Sequence, residues 1–143
     1  MSRESTSART LADELRPVLL RLARELRREA QSLGITGGQV SLLTSIKFNP
    51  GITASELAER ERVSAPGMSG HLVRLEAGHL IERTRAQDRR RIGLFLTAEG
   101  EKVLKSVRNK RTAWLAGRLE RLEPSEREQI EGSIDALEKL LDG

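Results

Sequence analysis

The chain has 143 residues, enough for one folding unit with its own core and too few for two ordinary domains. Apolar residues make up 37% and charged residues 32%, which excludes a disordered composition and predicts a folded protein with a heavily charged surface. The net charge of +4 is too small to identify a partner, and the absence of cysteine excludes a disulfide framework, a zinc-thiolate site, a thiol nucleophile and a thiol redox switch.

From Ala8 to about Leu33, Leu11, Leu15, Val18, Leu19, Leu22 and Leu26 follow helical spacing, and arginines fill the rest of the surface. This predicts one amphipathic helix of about 26 residues and about 39 Å, kinked or started late at Pro17. Thr36-Gly37-Gly38-Gln39 has the form of a capping box and opens a second helix through Val40, Leu42, Leu43 and Ile46, which Asn49-Pro50-Gly51 ends. Thr53-Ala54-Ser55-Glu56 repeats the box for a short third helix. Ser64 caps a fourth, with Pro66 tolerated in its first turn. Met68, Leu72, Val73 and Leu75 are expected on its inner face, and Ala65, Gly67, Ser69, Gly70 and Arg74 nearer the outside. Gly78 stops it. Leu80 to Leu96 loses helical periodicity and predicts a two-stranded hairpin with an arginine-rich tip. Thr97 caps a fifth helix carrying Val103, Val107, Trp114, Leu115, Leu119 and Leu122, and Glu123-Pro124-Ser125 precedes a sixth through Ile130, Ile134, Leu137, Leu140 and Leu141.

His71 and His79 lie eight apart with no carboxylate cluster beside them, so no metal, cofactor or catalytic centre is expected and the chain is not read as an enzyme. His71 reads as a surface or half-buried structural residue. No stretch approaches the roughly 18 apolar residues of a membrane span, and no signal-peptide core follows Met1; the expected address is the cytoplasm.

The chemistry concentrates in the hairpin. From Arg83 to Arg91 there are five arginines against one acid, Asp88, a local charge of +4; extending the count to Ile81–Leu96 adds Glu82 and leaves +3. Guanidinium groups stay ionised and bind phosphate bidentately, and an arginine in a narrow minor groove meets a deepened negative potential. Asp88 serves the turn, the orientation of neighbouring guanidiniums, or both. The cluster follows directly on helix-turn-helix, whose second helix reads a major groove. Gly67 and Gly70 allow either close approach to the groove or close helix packing; Ser69 and Arg74 offer hydrogen bonds to bases or phosphates.

Asp88-Arg89-Arg90-Arg91 followed by Leu96-Thr97-Ala98-Glu99-Gly100, with Leu57-Ala58, Val63-Ser64, Leu75-Glu76 and Gly78-His79-Leu80-Ile81 upstream, resembles the MarR family of winged-helix transcription regulators over nearly the whole chain. His79 departs from the pattern at the start of the wing. The fold class expected is mainly α, an α+β winged helix-turn-helix at 36–96 flanked by helical dimerisation regions at 8–33 and 97–143, all within one unit, 1–143. The resemblance implies a homodimer on a pseudo-palindromic operator, with Ser64, Pro66, Ser69, Gly70 and Arg74 on the recognition helix and Arg85, Arg89 and Arg90 on the wing.

A dimer also follows from the apolar stripes of the terminal helices, which exceed what the small central helices can cover; Leu11, Leu15, Val18, Trp114, Leu115, Ile130, Ile134, Leu137 and Leu141 are its expected interface. Family members often release DNA on binding small aromatic anions, for which Arg16, Arg21 and Arg24 are the candidates here, although Trp114, Phe48 and Phe95 are the only aromatic residues. The partners expected are therefore double-stranded DNA, a second copy and a small-molecule effector, with no membrane. The function read from the sequence is a sequence-specific transcriptional regulator, a repressor in preference to an activator. The alternatives are an architectural or nonspecific DNA binder and a winged helix used for protein contacts.

Overall fold

A computed structural model of the chain describes residues 7–85 and 91–143. The elements run α1 (Ala8–Gln31), α2 (Gly37–Phe48), α3 (Ala54–Glu61), α4 (Ala65–Ala77), β1 (Ile81–Arg85), β2 (Ile92–Leu96), α5 (Ala98–Glu120) and α6 (Pro124–Lys139). This is the expected winged helix-turn-helix class: mostly helical, with one antiparallel pair in which Ile81 lies opposite Leu96 and Arg85 opposite Ile92.

The caps fall where short polar side chains precede apolar runs. Thr36 Oγ1 accepts from Gln39 N and Gln39 Oε1 accepts from Thr36 N, each at 3.1 Å, closing the box at the start of α2. At α3 half of the expected box forms. Thr53 Oγ1 accepts from Glu56 N at 3.2 Å, but the Glu56 carboxylate takes the Thr53 hydroxyl and Arg91 instead of reaching back to the backbone. α1 begins at Ala8 with Pro17 inside it, so of the two expectations, a kink or a late start, the late start does not occur; the helix ends at Gln31.

Leu42, Leu43 and Ile46 of α2, Leu57 of α3 and Met68, Leu72 and Leu75 of α4 converge on Ile81 and Leu94 of the hairpin. Ala30 and Val107 bring α1 and α5 to the edge of this core. Gly51 and Ile52 extend the small sheet, with Gly51 N donating to Leu94 O and Leu94 N to Ile52 O, both at 2.9 Å. Val73 is the exception to the predicted core: it is 57% exposed. At 100° per residue it points well away from the direction shared by Met68, Leu72 and Leu75, so its apolar character did not bring it inside.

Between α4 and α5 the chain is locked by the segment Leu96-Thr97-Ala98-Glu99-Gly100. Thr97 Oγ1 accepts from Gly100 N at 3.0 Å and donates to His79 O at 2.6 Å, while Thr97 N donates to Leu80 O at 3.1 Å. A Cβ on Gly100 would stand 2.3 Å from Leu80 O, so only glycine lets α5 start this close to the end of α4.

The stop signal of α4 is shifted by one residue from the predicted one. Gly78 has φ −81°, and the left-handed position falls on His79, at φ +58°. Leu80 N donates to Leu75 O at 3.0 Å and His79 N to Glu76 O at 2.9 Å, the paired bonds of a Schellman motif with histidine where glycine is favoured. The left-handed region costs a residue with a Cβ roughly 1–2 kcal/mol. His79→Gly is therefore expected to stabilise the protein by about 1 kcal/mol, read as a higher urea midpoint at unchanged slope; a lower midpoint would contradict this assignment.

Candidate nucleic-acid interface

Ser64 begins the outward-facing helix. Its Oγ accepts from Gly67 N at 3.2 Å, and its carbonyl accepts the first helical bond from Met68 N at 2.8 Å. A Cβ on Gly67 would lie 3.0 Å from that Oγ and 3.3 Å from Val63 Cγ1, so this glycine makes room for the cap itself. At Gly70 the nearest group to an added Cβ is the Arg74 guanidinium, 3.6 Å away. The missing side chain gives Arg74 space to fold along the helix. Neither glycine sits at a contact between helices, which removes the packing explanation left open by the sequence.

Pro66, Ser69 and Arg74 are exposed. With Gly70 and Val73 they occupy the side of α4 away from Met68, Leu72 and Leu75. His71 is half-buried, and its Nδ1 has no hydrogen-bond partner within the protein.

The wing is less free than the charge count suggests. Arg83 Nε lies 2.7 Å from Glu76 Oε1 on α4, and Arg91 pairs with Glu56 at the start of α3. Two of the five arginines thus tie the wing to the helix-turn-helix, one from the middle of β1 and one from the residue before β2. Arg85, at the end of β1, is exposed. Asp88, Arg89 and Arg90 lie outside the described residues. The acidic partners went unread in the sequence because Glu76 and Arg83 are seven residues apart on different elements, and Glu56 and Arg91 thirty-five apart.

The three arginines of α1 considered for an anion are not gathered together. Arg16 pairs with Asp13 at 3.2 Å, and Arg24 is exposed. Arg21 lines a hollow of about 440 Å³ with Val18, Leu22 and Glu25 of α1 and Trp114 and Arg118 of α5. The Arg118 guanidinium stands 5.1 Å from the centroid of the Trp114 ring. Of the residues assigned to a dimer interface, Leu11, Val18, Leu115, Ile130, Ile134 and Leu141 are exposed, and Leu15, Trp114 and Leu137 are half-buried. α6 buries no residue at all. Among the described residues no helix is long and apolar enough to cross a membrane.

A capped helix with one anchored face, followed by an arginine-bearing antiparallel ribbon braced against it, defines a winged helix-turn-helix protein of the DNA-binding kind. The sequence profile of the MarR family matches residues 33–92. An HTH-type transcriptional regulator of Mycobacterium tuberculosis is 32% identical over 133 residues, covering 92% of this chain and 93% of that protein. The HTH-type transcriptional repressor MdtR of Bacillus subtilis is 33% identical over 103 residues, 71% of this chain and 66% of MdtR. A crystal structure of a Pseudomonas aeruginosa protein matches with a TM-score of 0.82 at 31% identity, over 96% of this chain and 99% of that one. The chain belongs to the MarR family of DNA-binding transcriptional regulators.

Arg83–Glu76 and Arg91–Glu56 are partly exposed pairs, each worth under about 1 kcal/mol, so their effect is on orientation. The double variant Glu56→Gln, Glu76→Gln is expected to lose less than about 2 kcal/mol of stability while amide exchange in β1 and β2 accelerates several-fold. Unchanged exchange in both strands would show that the pairs do not hold the wing.

Proposed function

We propose that the protein is a homodimeric, sequence-specific repressor that occupies a pseudo-palindromic operator and is released by a small aromatic anion. The observation that carries the DNA-reading part is the division of α4: Met68, Leu72 and Leu75 are buried, and Pro66, Ser69 and Arg74 on the other side meet solvent. In this reading Ser64 and Pro66 set the start of the groove helix, Gly70 leaves Arg74 free to turn, and Ser69 and Arg74 donate to bases or phosphates. Arg85 carries the wing toward the backbone. Arg89 and Arg90 join it in the minor groove and Asp88 orients them, roles that rest on the sequence alone.

The dimer is supported by what one chain leaves uncovered. α6 is a 16-residue helix with no buried residue, and Ile130 and Ile134 stand on it one turn apart. α1 exposes Leu11, Val18, Leu19 and Leu22 as well. Apolar helix faces of this extent are covered by a partner, and two-fold pairing covers both ends of the chain at once. It also places equivalent α4 helices about 34–36 Å apart, the spacing of successive major grooves on one side of a duplex. A repressing role is supported by the likeness to MdtR, which is named a repressor, and by the fact that occupying a promoter requires no contact with polymerase. For the effector, Arg21 and Arg118 supply positive charge beside the Trp114 ring, the pairing an aromatic carboxylate needs. Arg16 is engaged with Asp13 and Arg24 lies apart, so Arg21 is the residue retained of the three.

Fluorescence anisotropy with a fragment recovered by genomic selection tests this against random duplex at equal salt. Affinity is expected to be more than about 10³-fold higher for the selected fragment. With about six phosphates neutralised per dimer, log K should fall with log[salt] at a slope near −5. A specificity ratio near one would make the protein an architectural binder, and a slope near zero would remove phosphate contacts from the account.

A further inference from the structure

We propose that Val73 reads thymine: its isopropyl group packs on the C5 methyl of one thymine per half-site, making it a specificity-determining residue of the regulator. The inference rests on the reading of α4 as the helix that enters the major groove.

Val73 is a large apolar side chain 57% exposed in the middle of a helix whose opposite side holds the core. It neither packs nor caps. Ser69 and Gly70 each lie three or four residues from both Pro66 and Val73, the spacing of one helical face, so the valine continues the stripe that begins at the capped end. Gly70, one turn before it, carries no side chain to stand in front of it, and the Arg74 guanidinium lies back over Gly70. The isopropyl group is therefore presented to whatever approaches this face, with a hydroxyl at Ser69 and a guanidinium at Arg74 on either side.

The groove offers few matches for such a group. In the major groove every base pair displays hydrogen-bonding atoms, and the one apolar feature is the C5 methyl of thymine. Valine over guanine or cytosine strips water from N7, O6 or N4 and returns no bond, which penalises the wrong base. Over thymine it removes two apolar surfaces from water together. β-branching holds valine in one dominant rotamer on a helix, so little freedom is lost on contact and the methyl is sought at a fixed place. A longer, unbranched side chain would accept more sequences.

The test uses the full-length protein and an operator fragment recovered by selection from random duplexes, in which thymines are replaced one at a time by deoxyuridine. This substitution deletes the C5 methyl and nothing else. Wild-type protein is expected to lose about fourfold in affinity at one thymine in each half-site, the value of one buried methyl. Val73→Ala should abolish the penalty at those two positions and leave every other position as before. Circular dichroism checks the fold, which an exposed valine-to-alanine change on a helix does not threaten. If Val73→Ala shows the same deoxyuridine profile as wild type, or if no thymine methyl matters to wild type, the proposal is overturned while the groove helix stands. If Ser69→Ala and Arg74→Ala also leave both the affinity and the selected sequence unchanged, the placement of α4 in the groove fails, and the thymine contact with it.

Discussion

Burial of Met68, Leu72 and Leu75 fixes the rotation of α4 about its own axis, and every functional statement about this protein depends on that rotation. Three side chains at four- and three-residue steps pin one side of the helix to α2, α3 and the hairpin. The other side is then left for another molecule. The residues there are few and unlike one another: a proline, a serine, a glycine, a valine and an arginine. Such a surface has no reason to form from stability alone, since none of these residues contributes to the core.

The helix is also held along its length. Its start is closed by the Ser64 hydroxyl, and its end is tied through His79 O and Leu80 O to the hydroxyl and backbone N–H of Thr97, the cap of α5. Glu76 reaches from its last turn to Arg83 on β1. Backbone hydrogen bonds and a side-chain pair therefore link the start of α5 to the end of α4 and to β1. In the proposed assembly α5 carries Trp114 and Arg118 at one end of this path, which gives an anion bound there a mechanical route to the helix that reads DNA.

Much of this was legible in the sequence because local chemistry decides it. Thr36 with Gln39, Ser64 before a proline-bearing first turn, and Thr97 three residues before Gly100 specify helix starts through hydrogen bonds that span three residues, and all of them formed. The hairpin and its flanking helices followed from changes in apolar period. Val73 was misplaced because residue type was followed where angle decides: adjacent to Leu72, it is carried a further 100° around the helix. His79 took the left-handed position because α4 keeps its last turn one residue beyond where Gly78 suggested a stop. The carboxylate partners of Arg83 and Arg91 were not identifiable because they come from other elements and become neighbours only on folding. Of the proposed DNA-binding residues, Ser64, Pro66, Ser69, Arg74 and Arg85 are exposed and Gly70 is half-buried; Arg89 and Arg90 are known from sequence alone.

The central claim is that two copies of α4 sit in successive major grooves of one duplex, related by a two-fold axis. Because the chain has no cysteine, a single cysteine introduced at exposed Ala77, at the end of α4, can carry an iron chelate that cuts nearby DNA. On the selected operator fragment the account requires two clusters of cuts, symmetric about the operator centre and separated by about 10 base pairs or a multiple of that turn. One cluster alone, or cutting spread evenly along the fragment, would contradict it.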